Sequence, residues 1–483
     1  MPALRKRRVG PVDTMWLNMD RPNNLMVIEA LILLDGVPDW DEVIELFRHQ
    51  VLEQFPVFRQ RPEQHPPIGQ PWWVEDEDFS LDRHIIRVEL PEPGDDATLQ
   101  AHMEQELDIP LDRDHPLWRV HLIGGYGSGS VIFLRIHHSL GDGIALTRVL
   151  LSLTKGDADG TAQLAVTTAV EPGESLTEPV SDGQGTGLVA DVTGLVGSGL
   201  RLARDGVGQL LRLATPDGAM AATREVGRTT RVLGDLLFSH SPESPLSGEP
   251  GGTKRVRWSG PLPLADAKQL GRLAGATLND VLMSAVAAAL HRYQLDNGQE
   301  PVDLITMVPV NIRPLDEPLP PELGNEFALV LFRFPSGLSA PLDRLAETKR
   351  RMDRIKGSPE AVITFAIINA IGHLSASVAR IFVDFFANKT IGVTTNVAGP
   401  RSSRTLAGVP VSGILGWVPG SGRQTLGVCI FTYAGTVRVG FISDAAVIPD
   451  PERLLEAFED EVERIIHMGR PLPRRGRKRH GDR

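Results

Sequence analysis

The chain predicts a mixed α/β protein, α+β in its sheets, with two halves joined by a linker. Three observations carry that expectation. At 483 residues the chain exceeds what one core usually encloses. Strand-like runs recur among amphipathic helices on both sides of its middle. Between them lies a stretch rich in Gly, Thr, Asp, Glu and Pro with little apolar periodicity. We therefore expect a first domain over 1–155, a linker with connecting amphipathic helices over 156–252, a second domain over 253–470 and a basic tail over 471–483. Such a layout places a ligand site between the halves.

In chain order, 25–34 reads as a buried strand closed by an Asp35-Gly36 turn, and Asp39 opens an amphipathic helix with Val43, Phe47 and Val51 on one face. A helix over 96–107 precedes a strand over 118–123, a Gly/Ser turn over 124–130, a returning strand over 131–136 and a helix over 144–153. One or two amphipathic helices are expected within 188–237. The second half reads as helices over 262–273 and 278–293, strands over 303–310 and 328–334, one long helix over 362–386 and a strand over 391–397. A hairpin, 426–433 with 437–443, turns at Ala434-Gly435, and Asp450-Pro451 start a final helix.

Composition removes several classes of function. The formal net charge is −11, and only the tail is basic, so no face suits nucleic acid. The single cysteine, Cys429, forbids an internal disulfide and fits a reducing cytosolic setting; it lies in an apolar strand and reads as inert core. The N-terminal positive charges are not followed by an apolar h-region, which argues against a secretory signal. The longest apolar stretches, 281–290 and 361–371, fall short of the ~20 residues that span a bilayer. A soluble protein, at most resting on a membrane surface, is expected.

Chemistry concentrates in His137-His138-Ser139-Leu140-Gly141-Asp142-Gly143. From average residue usage, two histidines followed by Asp-Gly at this spacing arise in roughly one chain in a thousand of this length. Strand alternation puts Ile132, Leu134, Ile136 and His138 on the more apolar face, and Arg135 and His137 on the other. A neutral imidazole at the end of a strand can take the proton of an attacking hydroxyl, so His138 is the candidate general base. Asp142 either caps the helix that begins at Gly143 or pairs with a distant arginine, for which Arg313 is the candidate. Gly143 permits a close backbone approach or positive φ. A metal reading of His138 and Asp142 lacks a third ligand nearby, so no metal is expected. His137 and Asp142 also fit His-x₄-Asp, the pattern of glycerol-phosphate acyltransferases, which is again acyl transfer.

With these residues in place, the chain resembles the bacterial wax ester synthase/diacylglycerol acyltransferase family. Besides the double-histidine motif it carries Pro116-Leu117-Trp118, Asn279-Asp280, VPVNIR over 308–313, LGNEF over 323–327 and TTNVAGP over 394–400, in the family's order. The double-histidine motif is shared with chloramphenicol acetyltransferases and peptide-synthetase condensation domains; Pro-Leu-Trp with Asn-Asp narrows the match. The resemblance implies two chloramphenicol-acetyltransferase-like domains with a tunnel between them. It implies transfer of a long acyl chain from acyl-CoA, a substrate and not a cofactor, to diacylglycerol or a fatty alcohol. His138 is then the base, and His137 and Asp142 hold its geometry. Asn279 is either a polarising group for the thioester carbonyl or a helix cap, and Trp118 reads as core. The same resemblance points to a cytoplasmic protein on the inner membrane face or on lipid droplets. The 362–386 helix, the 188–213 segment and the basic tail are candidate contacts with that surface. An acyltransferase with another hydroxyl acceptor, or a lipid carrier without turnover, are the alternatives.

Overall fold

The computed structural model describes residues 6–64, 70–156, 239–312, 317–356, 358, 360–372 and 376–469. The helices expected within 188–237, Arg313 and the basic tail lie outside them. Two seven-stranded mixed sheets dominate the described residues. In the first, the order is Ile85–Glu89, Trp118–Tyr126, Gly129–His137, Val27–Leu34, Val409–Trp417, Arg404–Leu406 and Lys155–Gly156. In the second, Leu262–Pro263, Thr436–Asp444, Leu426–Tyr433, Gly392–Ala398, Ile305–Asn311 and Phe327–Arg333 lie in sequence, with Lys254–Trp258 also pairing to Thr436–Asp444.

Local chemistry explains the hairpins. Gly129–His137 turns back on Trp118–Tyr126 through Gly127 at φ 54°, and pairs Val27 with His137 on its other edge. The second hairpin turns at Ala434 and Gly435, both at positive φ, the backbone that matches the strands' twist. Every residue of Val27–Leu34 and Gly129–His137 is buried, as befits strands covered on both faces.

The chain does not divide as cleanly as a two-half reading supposes. Between Gly392–Ala398 and Leu426–Tyr433 it crosses into the first sheet, where Val409–Trp417 pairs antiparallel with Val27–Leu34. The segment expected as one helix over 362–386 is two, Glu360–Gly372 and Ala376–Ala387. A helix that periodicity did not suggest, Pro11–Met19, packs against both. Its Val12, Met15, Trp16 and Met19 join Phe327, Ile368 and Ile371 in a third apolar cluster, separate from the cores of the two sheets.

Candidate active site

Strand Gly129–His137 delivers the histidines to the seam between the halves, and a single turn of 3₁₀ helix, His138–Leu140, follows it. Both are buried. His137 leaves on the polar side: its Nε2 meets Asp20 Oδ2 at 3.2 Å and its Nδ1 meets Ser139 Oγ at 2.8 Å. Its backbone N–H donates to Leu117 O. Burial works to raise the Asp20 carboxyl, but bonds from His137, the Met26 amide and Arg113 prevail and hold it down at about 2.

His138 leaves on the apolar side, as strand parity predicts. Its ring stacks on Trp16 with centroids 4.0 Å apart and planes 11° from parallel, and lies 5.8 Å from the Phe327 ring. Burial pushes the imidazole down to about 4; the nearby His137 adds to this, while bonds to its own backbone and to Asn325 oppose it. It is therefore neutral at physiological pH. Its Nδ1 lies 2.9 Å from Asn325 Oδ1. The Asn325 amide nitrogen donates to Asp13 Oδ1 at 2.8 Å and to His138 O at 2.7 Å.

Asp142 caps the Gly143–Ser152 helix, accepting from the Ala145 amide at 2.8 Å through Oδ1. Its Oδ2 accepts from the Glu326 amide at 3.0 Å, so one carboxylate ties the motif's turn to the segment carrying Asn325. The cap expectation holds; the arginine alternative named Arg313, outside the described residues. Gly143 has neither positive φ nor a close backbone neighbour: a Cβ there would meet nothing within 4 Å. It borders the cavity, and the glycine leaves space there.

That cavity runs along His138 and is walled mostly by apolar side chains from both halves. Ile28, Ala30 and Ile136 come from the first sheet, Met307 and Val393 from the second, and Ile367, Ile371, Val383 and Phe386 from the two helices above. Polar groups on its wall include Asn311, Asn396 and Gln424. Asn279 stands behind the wall, its Oδ1 accepting from Asn396 Nδ2. It is not the cap of its helix: Thr277 is, in a reciprocal capping box with Asp280. Pro116 is buried, and Leu117 and Trp118 sit in the first core, where the Trp118 indole donates to Phe58 O and stacks on His84. Cys429 is buried and its thiol is pushed up to about 12 by burial, which leaves it unreactive.

The wax ester synthase/diacylglycerol acyltransferase catalytic-domain model matches residues 9–282, and the C-terminal-domain model of the same family matches 323–466. The chain belongs to this family. Among curated relatives, a probable diacylglycerol O-acyltransferase of Mycobacterium tuberculosis is 26 % identical over 454 residues, covering 92 % of each chain. A putative one from the same species is 29 % identical over 488 residues, covering 93 % of this chain and 95 % of its own. A wax ester synthase/diacylglycerol acyltransferase from Marinobacter aquaeolei superposes with a TM-score of 0.65 at 21 % identity, over 96 % of this chain and 99 % of that one. The first condensation domain of the calcium-dependent antibiotic synthetase, in complex with a substrate analogue, reaches 0.55 at 16 % identity over 96 % of each chain. At these identities the likeness is one of fold, the paired chloramphenicol-acetyltransferase-like architecture. Within the family frame, Asp13, Trp16 and Asn325 are the site residues that sequence reasoning passed over. LGNEF was read only as a family landmark, and nothing local joins it to a histidine 187 residues earlier.

Proposed function

We propose that this acyltransferase moves a long-chain fatty acyl group from acyl-CoA to the hydroxyl of diacylglycerol or of a long-chain alcohol, with His138 Nε2 as general base. One observation carries the reading: a neutral imidazole, hydrogen-bonded through Nδ1, stands on the wall of an apolar cavity shared by both halves. The cavity suits an acyl chain and a lipidic acceptor, since burying each methylene contributes about 0.8 kcal/mol. The family match of both domains and the diacylglycerol O-acyltransferase relatives support the same assignment.

The steps balance without a cofactor. The acceptor hydroxyl attacks the thioester carbonyl and its proton passes to His138 Nε2. The tetrahedral adduct collapses, the C–S bond breaks, and the imidazolium returns the proton to the CoA sulfur. The developing oxyanion calls for amide donors. Asn396 and Asn311 border the cavity, and Asn279 holds Asn396, so the role given to Asn279 is support of that wall.

Both substrates partition into lipid, so the reading includes peripheral docking on a membrane or lipid-droplet surface. Among the described residues no single helix is long and apolar enough to cross a membrane. Ala376–Ala387 offers a shallow contact instead. It lines the cavity with Val383 and Phe386 and exposes Val378, Ile381, Phe382 and Phe385. On these two helices Ile368 and Ile371 are buried and Phe386 faces the cavity, while Phe382 is exposed.

The test is free CoA released from palmitoyl-CoA, with hexadecanol or dioleoylglycerol as acceptor, for wild type and His138→Ala. We expect acceptor-dependent release that falls by roughly 10² to 10⁴ in the variant. Lipid binding without thioester cleavage in the wild type would revive the carrier alternative, and release with only other hydroxyl acceptors would replace the lipid acceptor.

A further inference from the structure

We infer that Asn325, clamped by Asp13, is the positioning residue that holds His138 in the tautomer with its proton on Nδ1 and its lone pair on Nε2. The inference rests on the general-base reading above and adds the device that makes it work.

A neutral imidazole has one donor and one acceptor nitrogen, and its neighbours decide which is which. Among the described residues, the side chain that bonds the His138 ring is Asn325, its Oδ1 2.9 Å from Nδ1, beside the ring's bond to its own backbone. Which end of the Asn325 amide faces the ring follows from what surrounds the other end. The nitrogen sits 2.8 Å from Asp13 Oδ1 and 2.7 Å from His138 O, two acceptors. Turning the amide over would set its oxygen against a carboxylate and a carbonyl, two repulsive contacts inside a buried site. The carbonyl must therefore face Nδ1, Nδ1 must donate to it, and Nε2 is left to accept a proton.

The backbone is shaped to make this contact. Leu323 and Gly324, the two residues before Asn325, both have positive φ, at 50° and 87°. A leucine in that region is unfavourable by about 1 kcal/mol or more. Two features hold the turn: the Gly324 amide reaches Leu140 O, and the Asn325 amide donates to Asp13 Oδ1 at 3.1 Å. Asp13 is itself buried on the Pro11–Met19 helix, whose Trp16 stacks on the same imidazole ring. An amide in this position also differs in effect from a carboxylate. It fixes the tautomer without adding a negative charge beside the ring, so the imidazole stays neutral.

The experiment reads the tautomer directly, by two-dimensional ¹H–¹⁵N spectra of the full chain carrying ¹⁵N-labelled histidine, with His138→Ala to assign the signal. No substrate is present, so the result stands apart from whether the acceptor has been identified correctly. The wild type should show Nδ1 protonated and Nε2 unprotonated; a proton on Nε2 would overturn the inference without recourse to any variant. Asn325→Leu should give a mixture of tautomers and lower kcat on the order of 10², with KM for acyl-CoA changed less than threefold. Asp13→Ala, which removes the acceptor behind the amide, should also give a mixture. An Asn325→Leu protein with an unchanged tautomer or unchanged kcat would show that Asn325 only fills space, and an unchanged ring in Asp13→Ala would remove Asp13 from the clamp.

Discussion

Burial keeps the His138 imidazole neutral, the state that the proposed general base requires, and that burial has a cost that pH exposes. Its folded value, about 4, lies below the ordinary 6.5. As pH falls from 6.5 to 4 the unfolded chain takes up a proton that the folded one refuses, and the fold loses stability across that window. Asp13 acts with the opposite sign. Burial raises it to about 6 from 3.8, against bonds from Asn325, so the folded chain takes the proton first and gains stability as pH falls from 6 to 3.8. The two groups are joined through Asn325, which bonds to both. We expect the acid limb of kcat/KM to show an apparent pKa between about 4 and 6, in a profile confined to pH values where the protein stays folded. A limb at 6.5 would mean that the working imidazole is solvated, contrary to its stacking on Trp16.

At the scale of elements, the informative unit is the turn that joins the Gly129–His137 strand to the Gly143–Ser152 helix. Its geometry depends on Asp142, which serves as helix cap with one oxygen and as anchor of the Glu326 amide with the other. A short parallel bridge between Gly141 and Gly324 runs alongside. Asp142→Ala should lower unfolding stability by about 0.5–2 kcal/mol for the lost cap. It should also lower kcat roughly 10- to 100-fold, because Asn325 is the residue next to Glu326 and a displaced Asn325 misplaces the base. Denaturant titration and steady-state turnover on the same preparation separate the two effects. Unchanged turnover at reduced stability would mean that the turn and the Asn325 segment move independently.

For the whole molecule, the cavity exists only because both halves and the N-terminal helix meet over it. Val409–Trp417, a strand of the C-terminal part, completes the first sheet, so separating the halves would break that sheet as well as open the site. Above the cavity, Ile381 is 68 % exposed and Phe382 and Phe385 each 45 %, on a helix whose inner residues touch the cavity. Single exposed apolar residues mean little; several on one short helix beside the apolar cavity are the basis of the proposed lipid contact. The wild type should co-float with phosphatidylglycerol-containing vesicles, and the triple variant Ile381→Ser, Phe382→Ser, Phe385→Ser should lose most of that co-flotation. Equal flotation would move the contact elsewhere on the molecule.

What the sequence by itself determined was local or periodic. Strand parity put His138 on the apolar face and His137 on the polar one, Asp142-Gly143 announced a capped helix, and Ala434-Gly435 marked a hairpin, because each depends on neighbours a few residues away. The mixed α/β class followed from the same periodicities. Three things were decided only in three dimensions. Asn279 became support for Asn396, because Thr277 took the cap and a residue 117 positions later took its side chain. The 362–386 run broke into two helices, because both pack on Pro11–Met19 and both line the cavity, an arrangement that one straight helix over that run does not provide. The Asp13–Asn325–His138 clamp, spanning 312 residues from Asp13 to Asn325, left no local trace. Hydrogen bonds between distant side chains impose no period on the chain that carries them, so only the packing of the two halves could bring these three together.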